Sequence, residues 1–244
     1  MYISAVIITK NSEKTIKCCL DSIANLADEV LIVDSGSTDL TLKIAESFGC
    51  VIIQTPWLGY GATKNLGHQA ARFPYILSLD SDEALSYTLV KEIQPEKPQL
   101  QGLYEFRRLN NYCGKWIKHG AWYPDKKIRL FPKEILWNHA ASHEKLVLKE
   151  GQLLYTFKSP ILHYAYSSEE ELKSKVELYA RLGVKDRKHL SKIAAIGKMI
   201  FSPMVSFVKS YFIKRGFQDG MAGLKISYYI ALGTFLKYKY LLQG

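Results

Sequence analysis

Apolar residues in the first third of the chain come in short unbroken runs, each followed by a polar segment with helical spacing. Residues 3–9 (I-S-A-V-I-I-T) read as a buried strand, and Asn11-Ser12 supplies a cap for a helix running to about Ala27. Glu29 to Val33 is the next strand, and Thr38 or Asp39 can cap a helix that ends near Phe48-Gly49, where glycine suits the position after a helix. Val51 to Gln54 makes a third strand. The loop Trp57-Leu58-Gly59-Tyr60-Gly61 leads into a helix through Arg72, and Pro74 precedes the run Tyr75-Ile76-Leu77-Ser78-Leu79. Strand–helix alternation at this pitch predicts parallel strands with crossover helices, a doubly wound α/β sheet.

Polar residues cluster just after these strands: Thr9 and Asn11, then Asp34 to Asp39, then Asp80-Ser81-Asp82-Glu83. In an open α/β sheet, ligands bind beyond the carboxyl ends of the strands, so the three clusters should share one edge. Asp80 and Asp82, one residue apart, can offer hard oxygen ligands to Mg²⁺ or Mn²⁺. The same residues also suit a plain helix cap, with Ser81 or Asp82 starting the next helix. Neither G-x-G-x-x-G nor G-x-x-x-x-G-K-[ST] occurs, which argues against a dinucleotide cofactor or a P-loop. A nucleotide held by side chains and a bridging metal fits better. Asp34 can accept from a base or ribose hydroxyl, and Lys64 can reach a phosphate as a point charge. Taken singly, D-S-G-S reads equally as a turn and Lys64 as a solvated helix residue.

Three motifs, Ile7-Ile8-Thr9-Lys10-Asn11, Val33-Asp34-Ser35-Gly36-Ser37-Thr38-Asp39 and Leu79-Asp80-Ser81-Asp82-Glu83, resemble the signatures of family 2 glycosyltransferases of the GT-A fold. The match covers roughly the first 170 residues and is similar to the subgroup that glucosylates the inner core of bacterial lipopolysaccharide. The resemblance implies a Rossmann-like nucleotide-sugar domain with a mixed sheet over 1–166, halved at 1–93 and 102–166, and a helical amphipathic extension over 167–244. It places the uracil on Asp34, and ribose and metal on Asp80 and Asp82.

In the second half, Gln94 to Gln101 reads as a Pro-broken linker. Tyr112 to Tyr123 interleaves Trp116, Trp122 and Tyr123 with Lys118 and His119, a composition suited to a sugar face, to stacked bases, or to an ordinary meander. His139-Ala140-Ala141-Ser142-His143-Glu144 is the second chemical cluster. Transfer to a hydroxyl needs a base, and a partly desolvated carboxylate can serve. Related glycosyltransferases carry an acidic base in a matching H-E sequence after an R-L-F segment, here Arg129-Leu130-Phe131. That likeness assigns the base to Glu144, with Asp125 as fallback, and gives Arg129 and His143 substrate contacts. A lone His163 after an apolar run is ordinarily a packed residue. Several GT-A enzymes use a late His on the metal or diphosphate, which makes His163 a further candidate ligand.

From Ser167 the pattern is helical, opening with the acidic turn Glu169-Glu170-Glu171. Met199 to Ile213 and Leu224 to Leu242 are apolar but interrupted by Pro203, Lys209, Lys225, Lys237 and Lys239, so the expectation is helices lying on a bilayer surface rather than crossing it. The alternative is helices packed on the body or on a second copy, as in a homo-oligomer. Lys214 to Gly220 resembles the G-F-x-D-G turn of the lipopolysaccharide-core subgroup and suggests a membrane-facing turn. The net charge of +10 calls for an anionic partner. Nucleic acid is not expected, because Asp34, Asp39, Asp80 and Asp82 on one edge would repel it. The four cysteines lack C-x-x-C spacing and the N-terminus lacks a basic leader, so a reducing compartment fits. The combined expectation is an inverting, Mg²⁺- or Mn²⁺-dependent transfer of a hexose from UDP-sugar to a membrane glycolipid, on the cytoplasmic face of the bacterial inner membrane. A polyprenyl-phosphate glycosyltransferase and a non-catalytic nucleic-acid- or membrane-binding module are the alternatives.

Overall fold

The computed structural model describes residues 1–138, 144–184 and 191–243, which fall into two compact units. The first holds Met1–Arg108 and Lys126–His163, the second Leu109–Asp125 and Tyr164–Gly244. A division at 166–167 therefore misses one exchange: Leu109–Asp125 groups with the tail. Its apolar residues explain why, since Tyr112 and Ile117 share a buried cluster with Leu172, Ile226 and Tyr229.

In the first unit, β1 (Ile3–Thr9), β2 (Glu29–Asp34), β3 (Val51–Gln54) and β4 (Tyr75–Asp80) are joined by α1 (Ile16–Ile23), α2 (Thr41–Ser47) and α3 (Tyr60–Ala70). β1 pairs in parallel with β2 and β4, and β2 with β3. Every residue of β1 is buried, which is why its sequence is apolar apart from Ser4 and the terminal Thr9. Successive side chains feed two cores: Ile3, Ala5 and Ile7 pack with α1, while Val6 and Ile8 join Val33, Phe131 and Trp137. The register sets Thr9 opposite Asp34 and Ile8 opposite Asp80, so the polar clusters do share an edge.

Beyond β4 the sheet becomes mixed. β5 (Glu83–Leu85), β6 (Leu103–Tyr112), β7 (Lys115–Ile117), β8 (Asp125–Pro132) and β9 (Leu154–Tyr166) complete it, in the order β3-β2-β1-β4-β8-β6-β9-β5 with β7 on β6. β8 runs antiparallel to β4, and β5 antiparallel to β9 with Glu83 opposite His163.

Three local expectations change. The acidic triplet runs into β5 and caps no helix; α4 (Tyr87–Glu96) begins after Ser86, whose hydroxyl accepts from the Leu89 amide. The stretch 94–101 is not a linker, because α4 continues through Pro95 and a 3₁₀ turn follows at Lys97–Gln99. Proline in the last turn removes only one helical bond, and Lys97 Nζ anchors the turn on the Leu26 carbonyl and Asp28, each at 2.7 Å. Asn11-Ser12 does not cap α1; Asn11 takes a left-handed φ of 50° and its Oδ1 accepts from the Thr38 amide at 2.8 Å.

The second unit is built on α5 (Glu169–Leu182), α6 (Lys192–Val208) and α7 (Gly220–Gln243). Ser168 caps α5, and Glu169 in its first turn accepts from Lys225 Nζ at 2.6 Å and Tyr229 Oη at 3.0 Å. Pro203 lies inside α6 without ending it, and a π-turn carries the helix on to Ile213. The resulting 22-residue helix, Lys192–Ile213, contains an 18-residue window with a mean hydropathy of 1.3 and is long and apolar enough to cross a membrane by length and composition. Pro203 and Lys209 interrupt the apolar run but not the helix, so the expectation that no stretch here is long and apolar enough to span does not hold by length and composition.

The G-F-x-D-G turn packs inward at two of its residues. Asp219 is buried and accepts from the amides of Lys118 and His119 at 3.1 and 2.8 Å, and a Cβ on Gly216 would lie 2.8 Å from the Ser210 carbonyl. The aromatic stretch is likewise engaged in packing: Trp122 stacks on Tyr166 at 5.3 Å and Trp116 sits edge-on to Tyr164 at 5.4 Å.

Candidate active site

Strand ends supply the acidic groups. Asp34 closes β2 and is buried; its Oδ2 accepts from the amides of Gly36 and Ser37 at 3.0 and 2.9 Å, and its Oδ1 from Ser37 Oγ at 2.5 Å. The D-S-G-S turn thus fixes one carboxylate, and Gly36 takes the φ of +88° that the turn requires. Neighbouring Thr9 is buried, and Asp39 Oδ1 accepts from the Thr41 amide at 3.0 Å, holding the entry to α2. Asn11 bridges to this turn through Thr38, as described above.

Asp80, at the end of β4, lies between two cations. Its Oδ1 is 3.1 Å from Lys64 Nζ and its Oδ2 accepts from Arg129 at 2.7 Å. Burial alone would raise this carboxyl, but Arg129 and then Lys64 hold it well below the usual carboxylate range. Arg129 also donates to Glu83 Oε1 at 2.7 Å, and Arg108 reaches the same oxygen at 3.0 Å. Burial opposes the charge of Arg129, yet Asp80 and Glu83 keep it more firmly protonated than a free guanidinium. Glu83, fully buried, is therefore the counter-ion that lets two arginines stand behind the acidic motif. Glu83→Gln should cost about 3–5 kcal/mol, the range for breaking a buried ion pair from one side. Urea unfolding of the variant measures it.

Lys64 is 1% exposed and connects the acidic motif to the second chemical cluster, with Nζ 2.8 Å from Glu144 Oε1 and 4.7 Å from the centre of the Trp137 ring. Trp137 is held in turn by Asn65, whose side-chain amide makes both backbone hydrogen bonds of that residue, at 2.8 and 2.9 Å. Close approach at Gly61 belongs to the same arrangement, since a Cβ there would lie 2.0 Å from the Asn138 carbonyl. Asn138 pairs with Lys145 at 2.9 and 3.1 Å, beside Glu144. Gly61→Ala should therefore displace that segment and lower kcat by about 10²-fold, the typical cost of an ångström-scale misplacement. Steady-state kinetics with circular dichroism separates this loss from misfolding.

Asp82 and His163 face each other, with Oδ2 3.4 Å from Nε2 across the β5–β9 pairing. Among the described residues no group of three or more His, Cys, Asp or Glu side chains converges on one point. One carboxylate and one imidazole would suit a Mg²⁺- or Mn²⁺-type ion only if substrate oxygens and water completed the ligand set. Asp80, with both oxygens facing cations, is turned toward Lys64 and Arg129. His143 lies outside the described residues. Glu83, Arg108, Asn65 and Trp137 join the site without a signal in motif spacing, although Glu83 closes the D-S-D-E motif itself.

His68, one turn beyond Lys64, is fully buried against Phe131 at 5.5 Å. Burial, followed by the charge of Lys64, lowers its pKa to about 4. An unfolded imidazole titrates near 6.5, so the unfolded chain binds the extra proton between these values. Stability from neutral His68 is thus complete above about pH 6.5 and lost as pH falls toward 4, a change of order 3 kcal/mol. In His68→Leu that part of the pH dependence should disappear from denaturation curves taken across this window.

The glycosyl transferase family 2 profile matches residues 4–138, more than half of the chain. A glycosyltransferase of Rickettsia bellii, itself uncharacterised, is 32% identical over 96% of this chain and 84% of its own length. The protein belongs to glycosyltransferase family 2. This glycosyltransferase is also 25% identical to the lipopolysaccharide core biosynthesis glycosyltransferase LpsC of Rhizobium meliloti, over 91% of this chain and 84% of that one. Among solved structures, S. aureus TarS 1–349 in complex with UDP aligns over 100% of this chain and 90% of its own, with a TM-score of 0.50 and 17% identity, a likeness of fold. The α/β GT-A-like architecture and the resemblance to lipopolysaccharide-core enzymes agree with the motif reading.

Proposed function

We propose that this glycosyltransferase moves a hexose, glucose by the resemblance of its motifs, from a UDP-sugar to a membrane-anchored glycolipid of the lipopolysaccharide inner-core type, with inversion, at the cytoplasmic face of the inner membrane. The observation that carries this reading is the joining of Glu144 to Asp80 through one buried cation, Lys64. It puts a base candidate and the acidic motif in one electrostatic unit. LpsC, named for lipopolysaccharide core biosynthesis, supports the acceptor class.

Asp34 receives the uracil: the turn amides take both lone pairs of Oδ2 and fix the orientation, and one lone pair on Oδ1 remains for the ligand. Lys64 and Arg129 place positive charge beside the diphosphate. A Mg²⁺ or Mn²⁺ ion on Asp82 and His163 would supply Lewis-acid neutralisation of the departing UDP. Glu144 takes the proton of the acceptor hydroxyl as its oxygen bonds to the anomeric carbon. The bond to the diphosphate breaks with its electron pair leaving on UDP. One displacement inverts the centre, and no carboxylate nucleophile takes part. UDP release from a panel of UDP-sugars, with and without a purified core glycolipid, tests this: strong acceptor dependence supports it, and equal release without acceptor overturns it.

A further inference from the structure

We propose that α6 and the π-turn after it form the surface by which this protein seats on an anionic bilayer, lying in the interfacial plane. The proposal deepens the reading of a membrane-anchored acceptor, but it is argued from the second unit alone. The amphipathicity of α6 is inside-out. Ile193 is 85% exposed, Phe201 and Met204 each 66%, and Ile213 72%, and helical spacing gathers Ile193, Ile200, Phe201, Met204, Val205 and Val208 into one stripe. The opposite side, packed on α7, carries small and hydroxyl residues together with half-buried Met199 and Pro203. Ala195 and Ser210 are buried, Ser210 Oγ is 2.8 Å from Ser227 Oγ, and Ser206 Oγ is 3.4 Å from Thr234 Oγ1. A helix in water hides isoleucine and phenylalanine and shows serine. Small and hydroxyl residues joining two helices, with large apolar residues outward, is how helices pack in lipid.

Charge decides the occupant. From Lys192 to Gln218 the chain has five cations, Lys192, Lys198, Lys209, Lys214 and Arg215, all exposed, and no acidic residue. Lys198 and Lys209 lie about three turns apart, so both fall on one flank of the apolar stripe. With the helix flat, that flank meets headgroups while the stripe enters the acyl boundary, the geometry of an interfacial helix. A second copy is a poor occupant, since a two-fold contact on this face would set these cations against their own images.

Co-sedimentation of the full chain with vesicles of phosphatidylglycerol and phosphatidylethanolamine, against vesicles of phosphatidylcholine alone, tests the proposal. Binding should be strong and salt-sensitive on the anionic vesicles. Phe201→Ser with Val205→Ser should weaken it by at least about tenfold, and Lys198→Gln with Lys209→Gln should remove most of the salt-sensitive part. These exposed positions should leave transfer to a detergent-dispersed acceptor unchanged. Undiminished binding of the Phe201/Val205 variant overturns the proposal, as does failure of the parent protein to bind anionic vesicles, or a dimer in sedimentation velocity that the same substitutions dissolve. If vesicle binding persists but no UDP-sugar is turned over, the functional reading falls and the membrane surface stands.

Discussion

Glu144→Gln should lower kcat by about 10²–10⁴-fold, the usual contribution of a positioned base, while KM for the UDP-sugar changes little. The amide keeps an oxygen for Lys64, whose Nζ lies 2.8 Å from Glu144 and also 3.1 Å from Asp80, so the fold should survive the exchange. The acceptor is what this variant probes. A sugar hydroxyl must lose a proton as it attacks, whereas a lipid phosphate arrives already deprotonated. Full activity in Glu144→Gln would favour a polyprenyl-phosphate acceptor. Thermal melting beside the kinetics shows whether any loss comes from chemistry or from folding.

Asp82→Asn should reduce turnover by about 10²–10³-fold, the scale for removing one group that stabilises developing charge. It should also raise the Mn²⁺ concentration needed for half-maximal rate, which a metal titration in the presence of UDP reads directly. Asp82 is a cleaner probe than Asp80. Its side chain is 35% exposed and pairs with His163, whereas Asp80 is the counter-charge of Lys64 and Arg129. Asp80→Asn would mix a catalytic loss with the cost of leaving buried cations less well compensated.

Much of the parallel half was legible in the sequence, because buried parallel strands write themselves as unbroken apolar runs and their carboxyl ends as polar clusters. β1, β2 and β4 with Thr9, Asp34 and Asp80 are of this kind. What escaped depends on partners distant along the chain. Glu83 meets Arg129 across 46 residues, and Asn65 holds Trp137 across 72, separations that composition and spacing do not encode. The stretch 94–101 misled because proline in a last helical turn looks like a linker until Lys97 is seen anchored on Asp28. Pro203 breaks the apolar run of α6 without ending the helix, so the run looked shorter than the helix is. The apolar character of α6 was readable, but which side it turns to α7 was not, since periodicity identifies a face without saying what covers it.

UDP release from UDP-glucose with a purified inner-core glycolipid, followed with Mn²⁺ and then with chelator, tests the central claim most directly. Turnover that needs both acceptor and ion, giving a product whose anomeric configuration by proton NMR is opposite to the donor's, is the predicted result. Full-rate turnover in chelator, or a product that keeps the donor's configuration, would contradict it.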